Sequence, residues 1–531
     1  MYDVIIKRGF LIDGTGAPPW RKDIGVADGV IVKIGDLSSE RAEEVIDAEG
    51  LFIAPGFIDI HNHSDSSIFV VPTADNYVTQ GVTTVVVGNC GYSPAPLTDN
   101  NREFLEYSER EFIKEVGRIP WRSFSEYLAR LEALEKSLNV AVLVGHGTLR
   151  SAVLGVGEVK PSEKQLNEMK DLLAEAMDAG AFGMSSGLIY VPGMFSDTRE
   201  LIELAKVVSR YGGVYATHMR NEGVELLDAV IEAIQVGLAS GVSLELSHVK
   251  AAGPPAWGSV AKVLNLIEEY VGRGYDFSAD AYPYTASSTS LEALLPAWVR
   301  EGGAEKMIER LRNPELLSVL RNFLSRYGIP EEGHTDWDKI RISYSESHPE
   351  VLGKSIDEVS KMWDADPVSA IARLLVEDKG LTGVVIHTMS ENDVIKAVSH
   401  PLVAIGSDGS VMRLGEGMPH PRNYGTFPRV IAKYVREAKV LSLPEAIRKM
   451  TSLPARKLGL YDRGLLRPGF KADIVVFNYY TIRDEATYEN PHSYSTGVEY
   501  LLVNGKLVIR GGKHTGAKPG KLLRRTQRVK N

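Results

Sequence analysis

Apolar residues in the middle of this chain come in short runs separated by stretches where they recur every three or four positions. Runs of the first kind read as strands buried on both faces, and stretches of the second kind as amphipathic helices. Eight such runs can be marked, at residues 57–63, 83–90, 140–146, 182–187, 213–218, 243–248, 276–282 and 401–408. Helical patterns such as 164–179 and 224–239 separate most of them. Alternating strand and helix predicts a parallel sheet. Eight repeats predict an α/β fold of the (β/α)8 TIM-like barrel type, whose chemistry gathers at the C-terminal ends of the strands. Several of the runs end in polar residues, where that fold would put a site.

The two ends of the chain have a different texture. Short β-type runs at 2–8, 25–27, 30–34 and 44–47, with Asp13-Gly14 and Asp28-Gly29 between them, predict a small antiparallel sheet. The pattern returns at 472–477 and 498–510, where Asn504-Gly505 reads as a hairpin turn. The expected organisation is a small β-sandwich domain built from residues 1–54 and 456–531 around a barrel of residues 55–455. Between about 286 and 382 the alternation fails. Residues 305–327 read as one amphipathic helix followed by irregular chain, which predicts an inserted helical segment on the barrel rim. A short helix is expected at 393–398.

Composition narrows the partners. At 531 residues the chain is too long for one ordinary core. Its 44% hydrophobic and 24% charged content is that of a soluble globular protein, and its net charge of −9 argues against nucleic acid. The basic cluster Lys521-Leu522-Leu523-Arg524-Arg525 reads as a solvated tail. No run reaches the roughly 18 apolar residues a membrane span needs, and the N-terminal run is too short for a secretory signal. One cysteine excludes an intrachain disulfide and suits a reducing compartment. The expectation is a cytoplasmic protein acting on a small molecule, with homo-oligomerisation left open.

The polar ends of the strand runs carry the candidate chemistry. His61 and His63 close the first run; two apart on an extended strand, they share a face and can aim two imidazoles at one ion. Cys90 ends the second run between Asn89 and Gly91, and its thiolate is a strong zinc ligand. His218 ends the fifth run and His248 the sixth, completing an N/S donor set suited to zinc. Asp408 ends the eighth, where a carboxylate beside a metal-activated water can take up a proton and pass it on. Lys250 shares a strand face with His248, and with Tyr282 and Arg422 it is a candidate clamp for a carboxylate. Tyr190 is a candidate pocket residue. His146, at the end of the third run, fits a structural role as well as a functional one.

These positions resemble the amidohydrolase superfamily: His61-x-His63, then His218, His248 and Asp408 at later strand ends. Further motifs narrow the resemblance. They are Gly88-Asn89-Cys90-Gly91-x-Ser93-x-Ala95-Pro96, Ser247-His248-x-Lys250, Asp280-x-Tyr282-Pro283-Tyr284, His420-Pro421-Arg422-x-Tyr424-Gly425-Thr426-Phe427, and Val503-Asn504-Gly505 with His514-Thr515-Gly516-Ala517-x-Pro519-Gly520. Jointly they look like the D-aminoacylase (N-acyl-D-amino-acid deacylase) family over nearly the whole chain, most weakly in the insertion.

The resemblance implies zinc-dependent hydrolysis of an N-acyl-D-amino acid to a carboxylate and a D-amino acid. It implies one tightly held zinc on Cys90, His218 and His248, a second, weaker site at His61 and His63, and Asp408 as proton shuttle. Relatives that cleave cyclic amides carry a carboxylated lysine on the fourth strand. Residues 181–188 contain none, and the resemblance implies a comparable bridging place for Cys90. Hydrolysis of a cyclic amide or a dipeptide, and a non-catalytic scaffold of the same fold, are the competing readings.

Overall fold

The computed structural model describes residues 1–525. All eight runs form strands: Phe57–Asp59, Val82–Val87, Asn139–Val142 continued by Val144–Gly145, Gly183–Gly187, Val214–His218, Ser243–Leu246, Phe277–Ala281 and Val403–Ile405. Successive strands pair in parallel from the first to the seventh, and the seventh pairs with the eighth. The ring closes where the first strand meets the eighth. Asn62 bridges Gly409 in parallel, His63 N donates to Gly409 O (2.8 Å), and Asp408 N donates to His61 O (2.8 Å). Closure thus happens at the C-terminal rim, through residues adjoining the candidate ligands.

The strands hold because nearly all their residues are buried, as continuous apolar runs require when helices cover one face and a packed interior the other. The helix Glu163–Asp178 starts at a capping box between Ser162 and Gln165 and buries Leu166, Met169, Leu173, Ala176 and Met177 on one stripe. Leu226–Ser240 and Glu391–Ser399 lie where helical spacing places helices.

Three expectations need correction. Tyr2–Lys7 pairs antiparallel with Asp23–Ala27 but parallel with Ala42–Asp47, so the N-terminal sheet is mixed. A second sheet joins Phe52–Pro55 to Ile474–Phe477, and thus strands from both ends of the chain. The two sheets share a core of Val4, Ile6, Ile24, Ile53, Ile474, Val476 and Leu502. At the C-terminal hairpin Asn504 and Gly505 both take positive φ, as a type I′ turn requires.

The rim insert is more ordered than its sequence suggests. The expected helix at 305–327 is two, Gly303–Arg312 and Pro314–Tyr327. Pro314 ends the first, and the Asn313 side chain caps the second. The chain expected to be irregular forms Ile340–Tyr344, Ile356–Met362, Pro367–Glu377 and Gly383–Ile386, with a core of its own.

The basic tail is not simply solvated. Lys521 O accepts from Val140 N (2.9 Å), and Leu523 N donates to Val140 O (2.8 Å). The fourth strand joins the third from Val142, whose carbonyl accepts from Phe182 N (2.8 Å), so the tail fills the backbone edge left open below it.

Candidate metal centre and substrate cavity

Six side chains from five strand ends converge at the rim. The ligand atoms of His61, His63, Cys90 and Asp408 lie within 4.8 Å of one another, and so do those of Cys90, His218 and His248. Cys90 Sγ is 3.3 Å from His61 Nε2 and 3.4 Å from His248 Nε2. The backbone bends sharply to bring them in: Cys90, His248 and Asp408 sit at φ of 50°, 35° and 53°. Such non-glycine conformations cost on the order of 1–3 kcal/mol each and cluster at functional sites. Neighbouring backbone is drawn close. A Cβ at Gly187 would stand 2.0 Å from the Cys90 carbonyl oxygen, so only glycine fits there.

The histidines are oriented for a cation. His61 Nδ1 faces Asp280 Oδ2 (3.3 Å) and His248 Nδ1 faces Glu222 Oε1 (2.9 Å), so each ring turns Nε2 toward Cys90. Carboxylates behind imidazoles fix the tautomer and ring angle in metal sites. His218 is buried, with Nε2 3.4 Å from Glu222 Oε2, but neither ring nitrogen makes a hydrogen bond among the described residues. A buried imidazole so placed in an N/S/O cage fits a metal ligand. His63 Nε2 lies 2.9 Å from Asp408 Oδ1, and Arg422 Nη1 lies 2.7 Å from Asp408 Oδ2.

Electrostatics agree. Burial opposes ionisation of Cys90, but His61 and His248 beside it hold the thiol well below its ordinary value. Burial likewise opposes charge on His248, and Lys250 adds to that. Glu222 and Cys90 nonetheless hold the imidazole at about 9. The Asp408 carboxyl lies well below the usual range: burial is outweighed by Arg422, His248 and His63. These anions favour positive charge on the imidazoles between them, as a cage suited to a cation would.

The clamp candidates line a cavity of about 340 Å³ that also exposes His63, Cys90, His218, His248 and Asp408. Lys250 Nζ contacts Glu222 Oε2 (2.5 Å) and His248 Nδ1 (2.7 Å). The Tyr282 ring lies between two cations, 4.9 Å from the Arg422 guanidinium carbon and 5.8 Å from Lys250 Nζ. Tyr190 bonds Thr289 (3.0 Å) and meets His218 edge-on. His146 stands apart, with Nε2 at 2.8 Å from Glu200.

The structure adds carboxylates to which sequence reasoning gave no role. Glu222 joins His248, His218 and Lys250; burial works against its charge, but Lys250 and the two histidines hold it at about 2. Asp280 supports His61 and accepts from His248 N (2.9 Å). Glu331, from the insert, accepts from Glu222 N (2.9 Å) and reaches the same cluster. The one available signal was Asp280's place at the end of the seventh run, level with the other candidates.

A rim cage of histidines, a cysteine and an aspartate on a closed parallel barrel defines a metal-dependent hydrolase architecture, and the chain belongs to the amidohydrolase family. The model of that family, described as "Amidohydrolase family", matches residues 44–203 and 347–509. The chain is similar to two proteins of Alcaligenes xylosoxydans xylosoxydans. It is 38% identical to an N-acyl-D-glutamate deacylase over 98% of this chain and 96% of the relative, and 35% identical to a D-aminoacylase over 99% and 98%. It also resembles the crystal structure of N-acyl-D-glutamate deacylase from Bordetella bronchiseptica, complexed with zinc and a phosphonate inhibitor. That match has a TM-score of 0.84 and 35% identity, and covers 98% of this chain and 99% of that one. No helix among the described residues is long and apolar enough to cross a membrane.

Proposed function

We propose that this protein is a zinc-dependent deacylase of N-acyl-D-amino acids, releasing a carboxylate and a free D-amino acid. The observation that carries the reading is the buried cage of Cys90, His218 and His248 beside Asp408 and two cations. Full-length similarity to deacylases of this class supports it. Cys90, His218 and His248 would hold one zinc tightly, and His61 and His63 a weaker second. When bound, zinc supplies an activated water and polarises the amide carbonyl.

The chain's own residues do the rest. Asp408 stays ionised at neutral pH, the form that accepts the proton of the attacking water. Held by His63 on one oxygen and Arg422 on the other, it returns that proton to the departing nitrogen. Lys250, Arg422 and the phenol of Tyr282 bind the substrate's α-carboxylate, with Tyr190 closing the cavity wall. The division into a β-domain of residues 1–54 and 456–531 and a barrel of 55–455 is part of the same proposal.

The test is hydrolysis of N-acetyl-D-amino acids, their L-enantiomers and hydantoin by zinc-loaded protein. The D-series should react fastest, and Asp408→Asn should lower kcat by about 10²–10⁴-fold with zinc content unchanged. Faster turnover of hydantoin or of L-substrates would overturn the reading.

A further inference from the structure

The cavity beside the metal cage carries charge that this reaction does not use. The insert lines it with three carboxylates, Glu292, Glu331 and Glu332. Glu331 accepts from Glu222 N (2.9 Å) and Glu332 from the Thr388 hydroxyl (3.2 Å), whereas no hydrogen bond to the Glu292 carboxylate occurs among the described residues. The cations facing the same space already have carboxylate partners: Lys250 has Glu222 and Arg422 has Asp408. Arg300 acts on Glu292 and Glu331 from outside the cavity lining, and its Nη1 is spent on the carbonyl of Ile189 (2.7 Å). Burial holds all three carboxyls above their ordinary values, Glu332 at about 7. Glu332 is buried, with His334 Nδ1 3.9 Å from its second oxygen, while Glu292 and Glu331 are half-buried. Carboxyls held up in this way favour a ligand that brings positive charge and disfavour another carboxylate.

We propose that this part of the cavity selects the substrate side chain, favouring N-acyl derivatives of D-amino acids with a cationic side chain (lysine, ornithine or arginine) and disfavouring acidic ones. Ile189, Leu294 and Ile386 line the same space and suit an aliphatic stem that ends in a charge. The selection is partly repulsive: a D-glutamate side chain would add a fourth carboxyl group beside three, a form of discrimination that needs no extra contact to the preferred ligand. The proposal rests on the deacylase reading and specifies its substrate class.

It is tested on the zinc-loaded, full-length protein with N-acetyl-D-lysine, N-acetyl-D-leucine and N-acetyl-D-glutamate. The expected order of kcat/KM is lysine, leucine, glutamate, with at least about tenfold between the extremes. Glu292→Gln and Glu332→Gln should each lower the lysine-to-leucine ratio several-fold; as a ratio on one preparation it does not depend on the fraction correctly folded. If leucine or glutamate matches lysine, or neither variant moves the ratio, the selection is overturned and the deacylase reading stands. If no N-acetyl-D-amino acid is hydrolysed, both fall together.

Discussion

The two ends of the barrel both bury charge, but they balance it differently. At the floor, where the strands begin, Lys457 donates to the carbonyls of Leu244 (2.7 Å) and Asp276 (3.0 Å) and faces Glu245 at 3.9 Å. Arg463 closes on Asp473, which also accepts from Asn139 at the start of the third strand. At the rim, Cys90, Glu222, Asp280, Asp408 and Glu331 gather around two fixed cations, Lys250 and Arg422, and the backbone of three residues is strained. Apart from Lys449, the floor pairs its cations with carboxylates and serves stability, while the rim holds more acidic groups than fixed cations. In this fold the division between a stabilising floor and a working rim is expected.

Substitutions at the two ends should therefore separate activity from stability. The largest effect is expected from Cys90→Ala, which should lower kcat/KM on the order of 10³-fold or more and abolish tight zinc binding. Its melting temperature, measured after chelation, should match that of equally stripped wild type. A full complement of tightly bound zinc in the variant would break the contrast.

Arg463→Met is the mirror case. Leaving Asp473 buried and unpaired should cost about 3–5 kcal/mol by denaturant unfolding, while kcat/KM at moderate temperature stays within about twofold. A large loss of kcat/KM in well-folded protein would mean that the floor is not separate from the chemistry.

Glu222→Gln removes a charge behind His248 without emptying its place. Partners of this kind are worth about 10–100-fold in metal affinity or activity, so zinc titration and kcat/KM should both fall by that much.

The smallest effect sharpens the comparison from the floor side. Lys449 is buried with only the His400 carbonyl as hydrogen-bond acceptor, and burial lowers its ammonium from 10.5 to about 7. Below pH 7 the folded protein carries this charge at a penalty. Between 7 and 10.5 the unfolded chain binds more protons than the folded one, so the penalty fades as pH rises. Lys449→Met should stabilise by about 1–2 kcal/mol at pH 6, and the gain should shrink toward pH 10.5 in unfolding curves. A gain that grows with pH would contradict the assignment.

Much of the barrel was legible because its strands are apolar runs that switch to polar at one end, which marks both the element and the rim. The convergence of the candidate ligands was legible for the same reason: His61, Cys90, His218, His248 and Asp408 each stand at such a switch. Glu222 was not, because it stands in a rim loop and its partners His248 and Lys250 are 26 and 28 residues away. Its one local partner, His218 four residues before it, was read as a ligand without one. The helix break at Asn313-Pro314 was hidden by apolar spacing that continues across it, although the dipeptide itself is a stop-and-start signal. The parallel pairing of Tyr2–Lys7 with Ala42–Asp47 has no tight turn to set it, so periodicity alone could not reveal it.

The only thiol in 531 residues lies inside the cage, within reach of two imidazoles. Thiol-selective reagents therefore have a single address on this polypeptide, and a bound ion would shield it. Counting modified chains by mass would report how many molecules in a preparation are loaded, and one oxidation event at that atom would suffice to inactivate a whole enzyme molecule.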